Sequence, residues 1–179
     1  LWSAGPAAEK DNTVIYNCSF AKLNCVEAFA ECLHVLMCGT GFGFSVEEDE
    51  VSKLPSIPEI KSGKDIARVT IDDSREGWAD SVKTLMTSLY EGQNIYFDYS
   101  QLRPEGARLS TMGGRSSGPQ PLIKLHDFIR ETMHNAQGRK LTSLECHDIA
   151  NQIAEIVVAG GVRRSSQISL SDLNDEDMR

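Results

Sequence analysis

The sequence has no C-x-x-C pair. Its five cysteines, Cys18, Cys25, Cys32, Cys38 and Cys146, are odd in number, so neither a zinc finger nor a disulfide framework is indicated and a reducing cytoplasm is the expected compartment. None of His34, His126, His134 and His147 forms an H-x-x-x-H pair, and no metal site is expected. No apolar run reaches the ~18 residues that cross a bilayer, and residues 1–6 have neither the basic start nor the apolar core of a signal peptide. A membrane partner is therefore not expected. Positive charge is scarce, with 18 Lys+Arg against 26 Asp+Glu for a net −8. That balance argues against direct nucleic-acid binding, which needs a basic face to neutralise phosphates. There is no internal repeat.

What is present is ordinary for a globular protein: 179 residues, 40% hydrophobic and 25% charged, enough for one domain. Leu1 stands where an initiator methionine would, and residues 174–179 run through acid without a tapering tail, so an internal piece of a longer protein is expected. The charge is unevenly spread. Residues 1–102 carry 8 basic and 16 acidic side chains, residues 103–164 carry 9 and 6, and residues 165–179 carry 1 and 4. The middle block is where a small polyanion would sit, unless it is simply solvated surface.

Residues 13–20, rich in β-branched and aromatic side chains, predict a strand. Asn24 with Glu27 predicts a capping box for a helix burying Val26, Phe29, Ala30, Leu33, Leu36 and Met37, with Cys25 and Cys32 in or near the core and Gly39 as its end. The acidic residues 47–50 and Pro55 and Pro58 mark an expected excursion away from the core. Residues 67–71 alternate like a strand. Asp73 with Glu76 predicts the cap of a second helix, bearing Trp78, Val82, Leu85, Met86 and Leu89 on one face and closed by Gly92, and residues 94–99 predict another strand. Pro121 suits the first turn of a third helix, Thr142 with Glu145 caps a fourth that stops at Gly160 and Gly161, and residues 167–171 form a last strand. Alternating helices and strands favour an α/β architecture.

Three glycine-bearing segments stand out. In residues 39–45 a G-x-G-x-G pattern lets backbone N–H groups approach a ligand, but the spacing is neither the Rossmann nor the Walker pattern, and a structural turn explains it equally well. Residues 109–119 combine hydroxyls, Arg115 and Gly113, Gly114 and Gly118 just before a helix N-terminus, where orphan N–H groups favour phosphate. Residues 160–166 follow a helix, so Arg163 and Arg164 must supply any attraction for an anion. Such a pair of loops suits a nucleotide site or plain surface. Cys18 has no His, Lys or Arg beside it, and its local pattern reads as a buried strand cysteine.

Taken in order, Leu1-Trp2-Ser3-Ala4-Gly5, Asn17-Cys18, Gly39-Thr40-Gly41-Phe42-Gly43-Phe44-Ser45, Gly113-Gly114-Arg115-Ser116-Ser117-Gly118 and Gly160-Gly161-Val162-Arg163-Arg164-Ser165 resemble the N-terminal half of the catalytic barrel of ribonucleotide reductases. The likeness is nearest to the monomeric, adenosylcobalamin-dependent ribonucleoside-triphosphate reductases (class II). It implies the N-terminal portion of a ten-stranded α/β barrel with an insertion: residues 1–45 as barrel portion with reductant cysteine, residues 46–108 as an insertion helping to form an effector site, and residues 109–179 as barrel portion with two specificity loops.

By the same resemblance, Cys18 is the catalytic reductant that, with a second cysteine farther along, reduces the ribose 2′ position and ends as a disulfide. Ser3, Asn17, Gly41 and Gly43 lie at the substrate. Arg115, Ser116, Ser117, Gly161, Arg163 and Arg164 belong to the loops through which a deoxynucleotide effector selects the substrate base. The implied substrate is a ribonucleoside triphosphate, the external reductant a thioredoxin-like protein, and the oligomeric state a monomer. Adenosylcobalamin is the implied cofactor, held mostly outside these residues. The radical cysteine, the catalytic glutamate and the second redox cysteine are expected beyond Arg179, so the piece alone is expected to be inactive. The alternatives are a catalytic fragment of a dimeric reductase, diiron- or cobalamin-dependent, and a non-catalytic nucleotide-binding regulatory module.

Overall fold

The computed structural model describes residues 7–61, 67–108, 115–159 and 165–178. The short helix α1 (Ala7–Lys10) leads into a 3-10 turn, Asn12–Ile15, and then β1 (Cys18–Lys22), α2 (Val26–Cys38) and β2 (Gly41–Ser45). A single-turn helix α3 (Glu48–Val51) precedes β3 (Ala67–Thr70), α4 (Arg75–Tyr90) and β4 (Ile95–Asp98). Helices α5 (Gln120–Asn135) and α6 (Ser143–Ala159) and strand β5 (Gln167–Leu170) complete the described chain.

Two parallel sheets result, one ordered β1-β2-β5 and the other pairing β3 with β4. Parallel neighbours need a crossover, and the helices supply it: α2 joins β1 to β2, and α4 joins β3 to β4. The expected α/β architecture is present. Among the described residues, no helix is long and apolar enough to cross a membrane.

One apolar core runs through both sheets and the long helices. Helix α2 contributes Phe29, Leu33 and Leu36, fully buried at 3- and 4-residue steps, each stabilising the fold by about 1.5–3 kcal/mol. It packs against α4 and α6, while α5 packs against α6 and α4. Gly39 ends α2 at φ 85°, the left-handed region that a Cβ disfavours. Inside the core His126 is fully buried, between the Ser81 hydroxyl 3.0 Å from Nε2 and the Tyr99 hydroxyl 2.8 Å from Nδ1. Burial first, and the positive charge of Arg130 second, pull its pKa down to about 3, so the ring is neutral.

Several local expectations are corrected. Residues 13–20 are not one strand: Asp11 accepts a hydrogen bond from the Thr13 amide at 2.9 Å and caps the 3-10 turn, so the strand starts only at Cys18. The Asn24–Glu27 capping box does not form. Asn24 donates to Glu50 instead, the helix N-cap is Cys25 with no side-chain cap bond, and Cys25 is exposed rather than near the core. Helix α4 is capped by Ser74, which accepts from Gly77, and not by Asp73, which pairs with Arg103.

Residues 46–60 do not leave the core, because Val46, Val51, Leu54, Ile57 and Ile60 are all buried in it. The Thr142–Glu145 box is present in both directions, at 2.9 and 3.2 Å.

Candidate functional site

Of the segment 39–45, Gly39 is the cap of α2 and Gly41–Ser45 is a strand, not a loop. Its residues alternate between the two faces of the three-stranded sheet. On one face, Phe42 and Phe44 of β2 are buried with Ser19, Gln167 and Ser169 beside them. Gln167 donates to the Ala150 carbonyl at 3.1 Å, and Ser169 lies 3.1 Å from His147, so this face is roofed by α6, with α2 alongside.

The opposite face carries Cys18, Phe20, Gly41, Gly43, Ile168 and Leu170, and at its far end Lys22, paired with Glu50, and the buried Ser45. Here Phe20 is 54%, Ile168 64% and Leu170 46% exposed, and Cys18 is exposed as well. Parallel sheets are ordinarily covered on both faces, so an open apolar face is a surface built to be met by something.

Register places Cys18 directly beside Gly41, and Phe20 beside Gly43, which in turn neighbours Ile168. Asn17 joins the group through its carbonyl, which accepts the Gly41 amide at 3.0 Å. A Cβ on Gly41 would sit 2.8 Å from the Ser166 hydroxyl, and one on Gly43 would lie 3.2 Å from both Phe20 and Ile168. The two glycines thus leave a low floor beside the thiol, over which a ligand meets backbone instead of side chains. Ser166 also accepts the Phe42 amide at 3.0 Å, so the segment following residues 160–164 is fastened to the central strand next to Gly41.

Cys18, Asn17, Gly41 and Gly43 are therefore brought together. Arg115, Ser116 and Ser117 stand elsewhere. Ser116 exchanges backbone hydrogen bonds with Gly106 and Ala107, and Arg115 donates to the Gly106 carbonyl at 3.0 Å. Ser3, Gly161, Arg163 and Arg164 lie outside the described residues. Phe20 and Ile168 are not among the residues the sequence singles out, although the two-residue period of β1 and β5 carries the signal that Phe20 shares the face of Cys18.

A second constellation lies away from this face. Asp11, His34 and Cys38 bring one carboxylate oxygen, one ring nitrogen and one sulfur together, with Arg75 beside them. The H-x-x-x-C spacing of His34 and Cys38 on α2 is the sequence signal for this group, which an H-x-x-x-H pattern does not capture. Burial first, and the Asp11 carboxylate second, push the Cys38 thiol up to about 12. The other buried thiols, Cys32 and Cys146, are likewise pushed up by burial. All four histidines lie on helices.

Residues 46–133 match the family model described as the insertion domain of B12-dependent ribonucleotide reductase. The chain is 32% identical to the adenosylcobalamin-dependent ribonucleoside-triphosphate reductase of Euglena gracilis, over 96% of its own length and 24% of the relative's. Its identity to the enzyme of the same name from Lactobacillus leichmannii is 31%, over 79% of the chain and 24% of that relative. A crystal structure of a B12-dependent (class II) ribonucleotide reductase superposes with a TM-score of 0.75 at 27% identity, covering 84% of this chain and 25% of that one. The chain thus spans about a quarter of the length of the curated relatives it matches. Fold, sequence and insertion agree in assigning the chain to the adenosylcobalamin-dependent, class II family of ribonucleotide reductases.

Proposed function

We propose that the chain is the part of a ribonucleoside-triphosphate reductase that presents the reducing thiol and the ribose floor to the substrate. The observation that carries this reading is the placement of an exposed Cys18 beside Gly41 on the uncovered face of a parallel sheet. A ribose lying over Gly41 and Gly43 meets the thiol edge-on. The Asn17 carbonyl, already engaged with Gly41, fixes the strand edge there. Cys18 and a second cysteine elsewhere in the full-length enzyme together give up two electrons and two hydrogens: the ribose 2′ C–O bond breaks, one hydrogen leaves with the hydroxyl as water, the other forms the new C–H bond at the 2′ carbon, and the two sulfurs join as a disulfide. A thioredoxin-like protein then reduces that disulfide.

Adenosylcobalamin supplies the radical that opens the reaction. The cofactor would be held mostly by parts of the enzyme outside these residues. Residues 46–108 are assigned to the insertion; the family-model match begins at the same residue and runs on to residue 133. Ser166, which follows Arg163 and Arg164 in the chain, accepts the Phe42 amide beside Gly41, and this supports coupling between a deoxynucleotide effector at these loops and the choice of substrate base. Coupling of this kind is worth about 1–3 kcal/mol.

The test is Cys18→Ser in the full-length enzyme with a dithiol reductant. Multiple turnover is expected to be abolished while deoxynucleotide binding is retained. Steady-state turnover equal to wild type would overturn the assignment.

A further inference from the structure

Outside the Cys18 face, the tightest gathering of metal-ligating atoms among the described residues is Asp11, His34 and Cys38. Asp11 Oδ2 is 3.1 Å from His34 Nε2 and 3.1 Å from Cys38 Sγ, and Sγ is 3.6 Å from Nε2. Tetrahedral zinc with its usual bond lengths to nitrogen, oxygen and sulfur separates its ligand atoms by about 3.3–3.7 Å. The three atoms are therefore already spaced almost as one ion would hold them. We propose that Asp11, His34 and Cys38 form a binding site for a zinc-class divalent cation, with water as the fourth ligand.

The local structure explains why these three atoms converge. His34 and Cys38 are one turn apart on α2 and share a face. Asp11 is the cap of the 3-10 turn, and its Oδ1 is taken by the Thr13 amide, which leaves Oδ2 turned to the helix. The side chains of Asp11 and His34 are 16% and 24% exposed, so water reaches the remaining position.

Thiolate and imidazole select zinc over magnesium or calcium, which prefer all-oxygen cages. Binding sends the thiol proton to solvent, and the thiolate and carboxylate then balance the ion's two charges. Arg75 consequently faces a neutral centre. Its guanidinium, 2.9 Å from Sγ and 3.7 Å from Oδ2, is placed to donate to the coordinated atoms as an outer partner. The ion would clip the entry of β1, seven residues before Cys18, to the C-terminal half of α2, and through Arg75 to α4.

The alternative is a hydrogen-bonded cluster that needs no metal, and cobalt separates the two. Full-length protein, freed of cobalamin and metals, is titrated with Co²⁺. A sulfur-to-cobalt charge-transfer band with tetrahedral d–d absorption is expected and should be displaced by Zn²⁺. His34→Ala and Asp11→Asn should weaken cobalt binding roughly tenfold or more. Cys38→Ser should remove the charge-transfer band. Absence of the band in wild type would overturn the proposal, as would an undiminished band and affinity in both His34→Ala and Asp11→Asn. Because these two side chains are partly exposed, their variants keep the test decisive if Cys38→Ser fails to fold.

Discussion

Glu50 shows how one residue departs from the run it belongs to. In sequence it is one of four consecutive acids, and runs of that kind usually lie in solvent. In the fold it is buried, with Lys22 and Lys53 each 2.5 Å from its carboxylate and Asn24 at 2.8 Å. The Lys22 hydrogen bond, then those of Lys53 and Asn24, hold its pKa at about 2 against an ordinary 4.5. Between those values the unfolded chain binds the proton that the folded chain refuses, so Glu50 stabilises the fold fully above pH 4.5 and loses this as pH falls toward 2. Glu50→Gln should therefore lower the Tm of the 179-residue chain at pH 7, and the gap to wild type should narrow steadily from pH 5 to pH 3. A gap that stays constant would place the effect in packing instead of charge. The same residue explains the misread cap: Asn24 has an amide to give as well as an oxygen, and a distant carboxylate took it. At Thr142 and Glu145 no such competitor interferes with the box. Arg139 grips the other side of Glu145 at 2.7 Å, and the local pattern is realised as written.

At the scale of the element, β2 is the instructive case. G-x-G-x-G reads as a turn because glycine is weak in strands. Here Phe42 and Phe44 bury the intervening positions between the helices and the sheet, and their burial outweighs the glycines' preference. Gly43 is itself buried, and a Cβ there would lie 3.2 Å from both Phe20 and Ile168, whose own side chains are exposed. Gly43→Val should shift the stability of the 179-residue chain by no more than about 1 kcal/mol, since both neighbours can swing outward and valine favours a strand. In the full-length enzyme the same change should cut turnover severely by raising the floor beneath the ribose. Wild-type turnover in Gly43→Val would count against the floor assigned to this strand. Residues 13–16 fail as a strand for the converse reason. Their β-branched side chains favour extension, but the Asp11 cap and the buried Thr40 hydroxyl, 2.9 Å from both the Thr13 and Tyr16 carbonyls, hold the turn.

At the scale of the whole molecule, the helices cover one face of the β1-β2-β5 sheet, and among the described residues Cys18, Phe20, Ile168 and Leu170 stand exposed on the other, while the chain matches about a quarter of its relatives' length. If the rest of the barrel meets that face, a charge placed there has opposite consequences in the two contexts. Ile168→Lys should change the stability of the 179-residue chain by no more than about 0.5 kcal/mol, because the side chain is largely exposed. In the full-length protein it should cost several times as much, read as a loss of thermal stability or of soluble yield. Equal tolerance in both would mean the face stays open. By itself the sequence determined the α/β class, the positions of the long helices and the family, because helical periodicity, cap residues and ordered motifs are local signals. Only the tertiary structure decided that Cys18 is exposed, that Gly41 lies beside it, that Glu50 turns inward and that Asp11 reaches across to His34 and Cys38. Each of these depends on strand register or on partners distant in the chain, and no local pattern encodes those.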